Sequence, residues 1–174
     1  MTVRLLYAAS EHDADILYPT GFFAPDPFLC LIAGTRTILV MSDLEMDRAK
    51  RESKATHVWS WTRIAKEAGA NSAEQVIAHC LRKLGVRKAE VPGSFPLGLA
   101  RKLEALKIRL LVAKEPFWPD REIKTRDEVT KIEGSLRDAE AGLLAGIEAL
   151  KACRVGRDGW LYSCLLYTSD AADE

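Results

Sequence analysis

Few side chains in this sequence combine the type and the spacing that chemistry requires. His79-Cys80 is the only adjacent pair of soft metal ligands. Neighbours on a helix point about 100° apart, so the two cannot readily share one ion, and no second pair follows at ligand spacing. A core cysteine beside a surface histidine is the favoured reading. His12 precedes Asp13 and Asp15, which reads as a solvated acidic loop. His57 lies between Thr56 and Val58 in a strand-like stretch, where an outward imidazole is the ordinary outcome. Trp59 and Trp61 would share one face of a strand; burial accounts for them, and such a pair can also serve an interface. Asp43, Glu45 and Asp47 favour the dipole of a helix start without any catalytic role. There is no GxGxxG turn, phosphate loop or nucleophile elbow. We therefore expect no catalytic, cofactor-binding or metal-binding residue in this chain.

The elements that would position these residues follow from periodicity. Val3 to Ala8 reads as a first strand. Phe28–Ala33 and Arg36–Met41 flank Gly34-Thr35 and read as a hairpin. Ser42 or Asp43 is expected to cap a helix over 44–51, and Thr56 to Trp59 to form a short strand. Ser72 and Gln75 have capping-box spacing, and the helix behind them aligns Val76, Ile77, Cys80, Leu81 and Leu84 before Gly85 stops it. Lys88 to Val91 and Ile108 to Ala113 read as strands, with a helix striped by Leu99, Leu103 and Leu106 between them. Strands alternating with helices predict an α/β layer, and the hairpin makes its sheet mixed.

Two prolines in Glu115-Pro-Phe-Trp-Pro-Asp120 end that layer. Thr125 and Glu128 then form a second capping box. Val129, Ile132, Leu136, Ala139, Leu143, Ile147 and Leu150 recur at mostly three- and four-residue steps, predicting one long amphipathic helix. The expected organisation is an α/β domain over 1–114, a linker over 115–124, and the first helix of a second domain within 125–163. The last eleven residues, Cys164 to Glu174, resemble translated sequencing adapter, and sequence of that origin is set aside before fold reasoning. On that reading the natural chain continues beyond Ser163.

Formal charge is zero over 174 residues; setting aside Asp170, Asp173 and Glu174 leaves 22 acids against 25 bases, a mild +3. The bases are scattered, so no nucleic-acid footprint is expected. The apolar run after Arg4 is too short for a secretory signal, and no run reaches membrane-spanning length. Cys30, Cys80 and Cys153 are an odd set without CxxC spacing, which fits a reducing compartment, the cytoplasm by default.

Several local strings resemble the aminopeptidase P / creatinase group of pita-bread metallopeptidases. Tyr18-Pro-Thr-Gly-Phe22 is similar to the family's aromatic-x-Thr-Gly-Phe turn after its first helix, with Pro19 where the family more often has Leu. Thr37-Ile-Leu-Val-Met-Ser-Asp43 is similar to its second hairpin strand leading into a short helix. Arg121-Glu-Ile-Lys-Thr-Arg-Asp-Glu-Val129 is similar to the junction between its N-terminal and catalytic domains, with Val129 for the usual Ile. The resemblance implies a creatinase-type N-terminal fold whose intact parent is a metal-dependent Xaa-Pro hydrolase. It also implies two divalent ions (manganese, cobalt or zinc), a peptide substrate and a homo-oligomer, with neither nucleic acid nor membrane as partner. The family's metal ligands, two aspartates, a histidine and two glutamates, fall beyond position 163. The fragment itself is therefore expected to be inactive and to serve substrate access and subunit contacts. The rival expectation is a stand-alone α/β binding module whose long helix docks a partner.

Overall fold

The structure, a computed structural model, describes residues 2–157 and 159–163. The expectation about residues 164–174 lies outside them. The chain divides into two compact units, Met1–Arg121 and Glu122–Glu174.

The first unit is built on a six-stranded mixed sheet. Its strands are β1 (Val3–Ala8), β2 (Phe28–Ala33), β3 (Arg36–Met41), β4 (His57–Ser60), β5 (Lys88–Val91) and β6 (Arg109–Val112). They lie in the order β4-β3-β2-β1-β5-β6. β1, β2 and β3 pair antiparallel, whereas β3–β4, β1–β5 and β5–β6 are parallel. The apolar runs in β2 and β3 are nearly unbroken because both sheet faces are covered. On one face Leu29, Leu31, Ile38 and Val40 meet Ile64, Val76, Ile77, Cys80, Leu81 and Leu103. Those partners lie on α3 (Trp61–Ala68), α4 (Ala73–Lys83) and α5 (Leu97–Ala105). On the other face Cys30, Leu39 and Met41 meet Ile16 of α1 (Ala14–Thr20) and Ala49 of α2 (Met46–Glu52). Phe22, Phe28 and Phe117 complete that second cluster.

Local details correct several expectations. The residue before α2 is Glu45, without a side-chain cap; Asp43 instead accepts the Ser60 hydroxyl, so neither Ser42 nor Asp43 caps the helix. The box expected at Ser72 does not close. The Ser72 hydroxyl donates to Gln75 Oε1 at 2.7 Å rather than accepting a first-turn amide. Gly85 does terminate the α4 region, with φ +71°. Trp61 is not a strand residue: Ser60 Oγ accepts the Arg63 amide at 3.0 Å and starts α3 there. Residues 115–121, within the stretch read as a linker, lie inside the first unit, and Phe117 is only 2% exposed.

In the second unit, α6 (Arg126–Lys151) begins at Thr125 with the reciprocal box expected of it. Thr125 Oγ accepts the Glu128 amide at 3.3 Å, and the Glu128 carboxylate accepts the Thr125 amide at 2.8 Å. The apolar stripe from Val129 to Leu150 is exposed. A two-residue antiparallel pair follows, β7 (Arg154–Val155) with β8 (Leu161–Tyr162). Strands this short carry no readable periodicity.

Candidate functional site

Among the described residues, one gathering of charged and aromatic groups centres on Arg4. The parallel register sets it beside Glu90, and its Nε donates to that carboxylate at 3.0 Å. Its guanidinium also lies 5.1 Å from the Phe117 ring centre and 4.5 Å from that of Trp118, within cation–π range. Trp118 Nε1 donates to the Asp15 carbonyl at 2.7 Å, and Arg121 donates to the Asp15 carboxylate at 2.7 Å. Burial pushes the Asp15 carboxyl above its ordinary range; Arg121 opposes that shift, while Asp13 and Glu115 add to it. These groups are spent on one another. Together they fasten residues 117–121 to the sheet and to α1, and they present no nucleophile beside a base.

The residues singled out from sequence do not converge. Asp13 caps α1 by accepting the amides of Asp15 and Ile16, so it belongs to a helix start rather than a solvated loop. His57 is exposed and its Nδ1 lies 2.9 Å from the Thr56 hydroxyl. His79 faces Glu67 at 3.6 Å, beside Lys83, which donates to the same carboxylate at 2.7 Å. Lys83 also stands 5.4 Å from the Trp59 ring centre. Cys80 is buried, and desolvation pushes its thiol up to about 12. Trp61 packs near Tyr7 at 6.2 Å between ring centres. Asp43, Glu45 and Asp47 take separate partners: Ser60, Arg48 and Lys50. Sequence reading passed over Arg4 and the Phe117-Trp118 pair. The available signals were a lone guanidinium in an apolar strand and two aromatics held between prolines.

Two concave surfaces of the first unit lie near the carboxyl ends of its strands. A cleft of about 240 Å³ opens at the carboxyl ends of β1 and β5, lined by Tyr7, Asp13, Pro92, Ser94 and Phe95 among others. A groove of about 310 Å³ runs between α5 and β6, with Phe95, Leu97, Arg101, Glu104, Leu110 and Val112 in its walls. Among the described residues no three His, Cys, Asp or Glu side chains are grouped as a metal ion requires. The two-metal ligand set implied by the resemblance does not fit these residues, and no step through a metal is derived for them. Among the described residues no helix is long and apolar enough to cross a membrane.

This architecture has solved counterparts. The X-Pro aminopeptidase of Thermotoga maritima matches with a TM-score of 0.70 at 18% identity, over 90% of this chain and 42% of its own. The prolidase of Pyrococcus furiosus matches at 0.65 and 17%, over 91% of this chain and 42% of its own. The prolidase of Pyrococcus horikoshii gives 0.67 and 19%, over 91% and 41%. The chain thus spans about two fifths of the length of these solved proteins. At such identities the likeness is one of fold. No curated protein matches the chain. The family model of the creatinase/prolidase N-terminal domain matches residues 6–123. With its mixed sheet, its flanking helices and this match over most of its length, the chain belongs to the creatinase/prolidase N-terminal domain family.

Proposed function

We propose that this chain is the non-catalytic N-terminal portion of an Xaa-Pro aminopeptidase-like metallohydrolase, with a role in substrate access and subunit contacts in the intact protein. The observation that carries this reading is the pairing of family and extent. The chain belongs to that N-terminal domain family, and the three solved proteins named above are each more than twice its length. Residues 1–121 are then the N-terminal domain, and α6 is the first helix of a catalytic domain whose remainder covers its apolar stripe. The intact parent would hold two divalent ions, act on peptides, form a homo-oligomer and reside in the cytoplasm. Titration of the 174-residue chain with manganese, cobalt and zinc, alongside an Xaa-Pro peptide assay, tests the reading. Neither one-to-one micromolar binding nor cleavage is expected; metal-dependent cleavage would overturn it. Gene sequence past the codon for Ser163 provides a second test, and should encode the two aspartates, histidine and two glutamates.

A second reading has its own observation. Val129, Ile132, Leu136, Leu143, Ile147 and Leu150 are all exposed on α6, as a stand-alone α/β module whose long helix docks a partner would require. A gene that stops shortly after Ser163 would favour it.

A further inference from the structure

We propose that the cleft at the carboxyl ends of β1 and β5 is a binding site for a small primary amine with an apolar body. The site lies wholly in the first unit, so it stands whether or not α6 begins a catalytic domain. β1 and β5 are parallel neighbours, yet the helices that follow them leave for opposite faces of the sheet. Ile16 of α1 packs in one core cluster and Leu103 of α5 in the other. Loops that diverge in this way open a crevice at the strand ends, which is where open α/β sheets bind their ligands. Asp13 starts α1 and Pro96 starts α5, and both line the cleft.

The ligand class follows from the polar groups in the wall. Among the described residues that line the cleft, Asp13 is the only charged side chain, and Tyr7 and Ser94 carry the only side-chain hydroxyls. Asp13 spends Oδ1 on the amides of Asp15 and Ile16. Its Oδ2 and the hydroxyls of Tyr7 and Ser94 have no hydrogen-bond partner among the described residues, and no cation pairs with Asp13. An ammonium group carries three N–H donors and no acceptor, which suits three oxygens left without donors. An anionic ligand would meet Asp13 as a like charge. The field agrees, since Asp13 and Glu115 both repel the charge on nearby Asp15 and so gather carboxylates at this end of the sheet. Leu97 to Leu99, whose amides form the positive end of α5, lie outside the wall. Burial raises the Tyr7 phenol above its ordinary value, so its hydroxyl stays neutral at physiological pH. The rest of the lining is apolar, with the Phe95 ring among three prolines. Aromatic rings hold an apolar body and also attract an ammonium placed over their faces. A cleft of about 240 Å³ restricts the ligand to a small one.

A nuclear magnetic resonance titration of the 174-residue chain with phenethylamine tests the proposal. Saturable shifts are expected at Tyr7, Asp13, Ser94 and Phe95, with a dissociation constant in the millimolar range or tighter. Phenethyl alcohol has the same shape without the charge and should bind at least about tenfold more weakly. Asp13→Asn keeps the start of α1, because asparagine caps as well as aspartate. It should weaken the amine by about tenfold and leave the alcohol unchanged. Tyr7→Phe keeps the ring against Trp61 and should weaken the amine several-fold. Circular dichroism checks that both variants are folded, and the comparison of amine with alcohol needs no variant. Equal affinity for the two probes overturns the proposal, as do the absence of saturable shifts and shifts confined to α6. Amine binding unchanged in folded Asp13→Asn also overturns it.

Discussion

A single buried hydroxyl closes the loop after α1. Ser10 Oγ donates to the Phe22 carbonyl at 2.7 Å and accepts the Ala24 amide at 2.8 Å. Ser10→Ala strands that donor and acceptor away from water, so we expect a loss of about 1–3 kcal/mol in a urea unfolding curve. A variant indistinguishable from the parent would mean that the hydroxyl is dispensable. Thiol chemistry is also decided residue by residue. Burial pushes the Cys30 and Cys80 thiols up to about 12, which leaves roughly one molecule in ten thousand as reactive thiolate at pH 8. Cys153 is only half-buried. In the native protein a thiol reagent should therefore label Cys153 before Cys30 or Cys80, which should react only on unfolding. Mass spectrometry of the labelled peptides reads the order, and early labelling of Cys80 would contradict the packing of α4.

Helices and strands differ in how far their sequence declares them. Three glycines, Gly134, Gly142 and Gly146, lie within α6, and a Cβ added at any of them meets nothing within 4 Å. Replacing each by alanine should stabilise the helix by about 0.5–1 kcal/mol, read as higher helicity and a higher midpoint. Gly85, at φ +71°, also has open space around it, yet alanine there should destabilise because the left-handed backbone penalises a Cβ. The tie between α1 and Arg121 gives a pH-dependent test. Asp15 already holds its proton more tightly in the folded chain than an ordinary carboxyl. Arg121→Met removes the group that opposes this shift. The deficit should be smallest at acid pH, where Asp15 is protonated, and grow as pH rises through its folded pKa. A value of about 1 kcal/mol at neutral pH is expected, discounted for partial exposure. A deficit that does not vary with pH would remove Asp15 from the explanation. The strands β1 to β3 were legible because Gly34 separates two apolar runs that are buried on both faces. Periodicity alone did not reveal α1, because seven residues, Pro19 among them, give too little of it; only the family resemblance implied a first helix there, and Tyr18 to Thr20 fall inside it rather than after it. α3 was hidden because Trp59-Ser60-Trp61 alternates like a strand, although its serine is a cap. The pairing at the Arg4 hub was not legible even though its members stand out singly, since Glu90 lies 86 residues from its partner and pattern rules look only locally.

For the whole molecule, the fastening at Phe117 and Trp118 means that the first unit is not complete at residue 114. A chain ending at Arg121 should be more stable than one ending at Lys114 by several kcal/mol. Phe117 alone contributes about 1.5–3 kcal/mol by burial, and Trp118 adds its hydrogen bond and its stacking on Arg4. Equal unfolding midpoints would show that residues 115–121 are ornamental. Central β1 also has a timetable. It is made first and finds β2 within a few dozen residues, but its other neighbour, β5, ends only at Val91. At about 5–20 residues per second of ribosomal synthesis, that apolar flank stays open for roughly four to seventeen seconds. Arg4 waits longer still, until Trp118 has cleared the exit tunnel. The nascent chain therefore carries an unfilled parallel berth until β5 has been made, the kind of surface that holding chaperones bind, and a ribosome stalled before residue 88 would prolong that exposure.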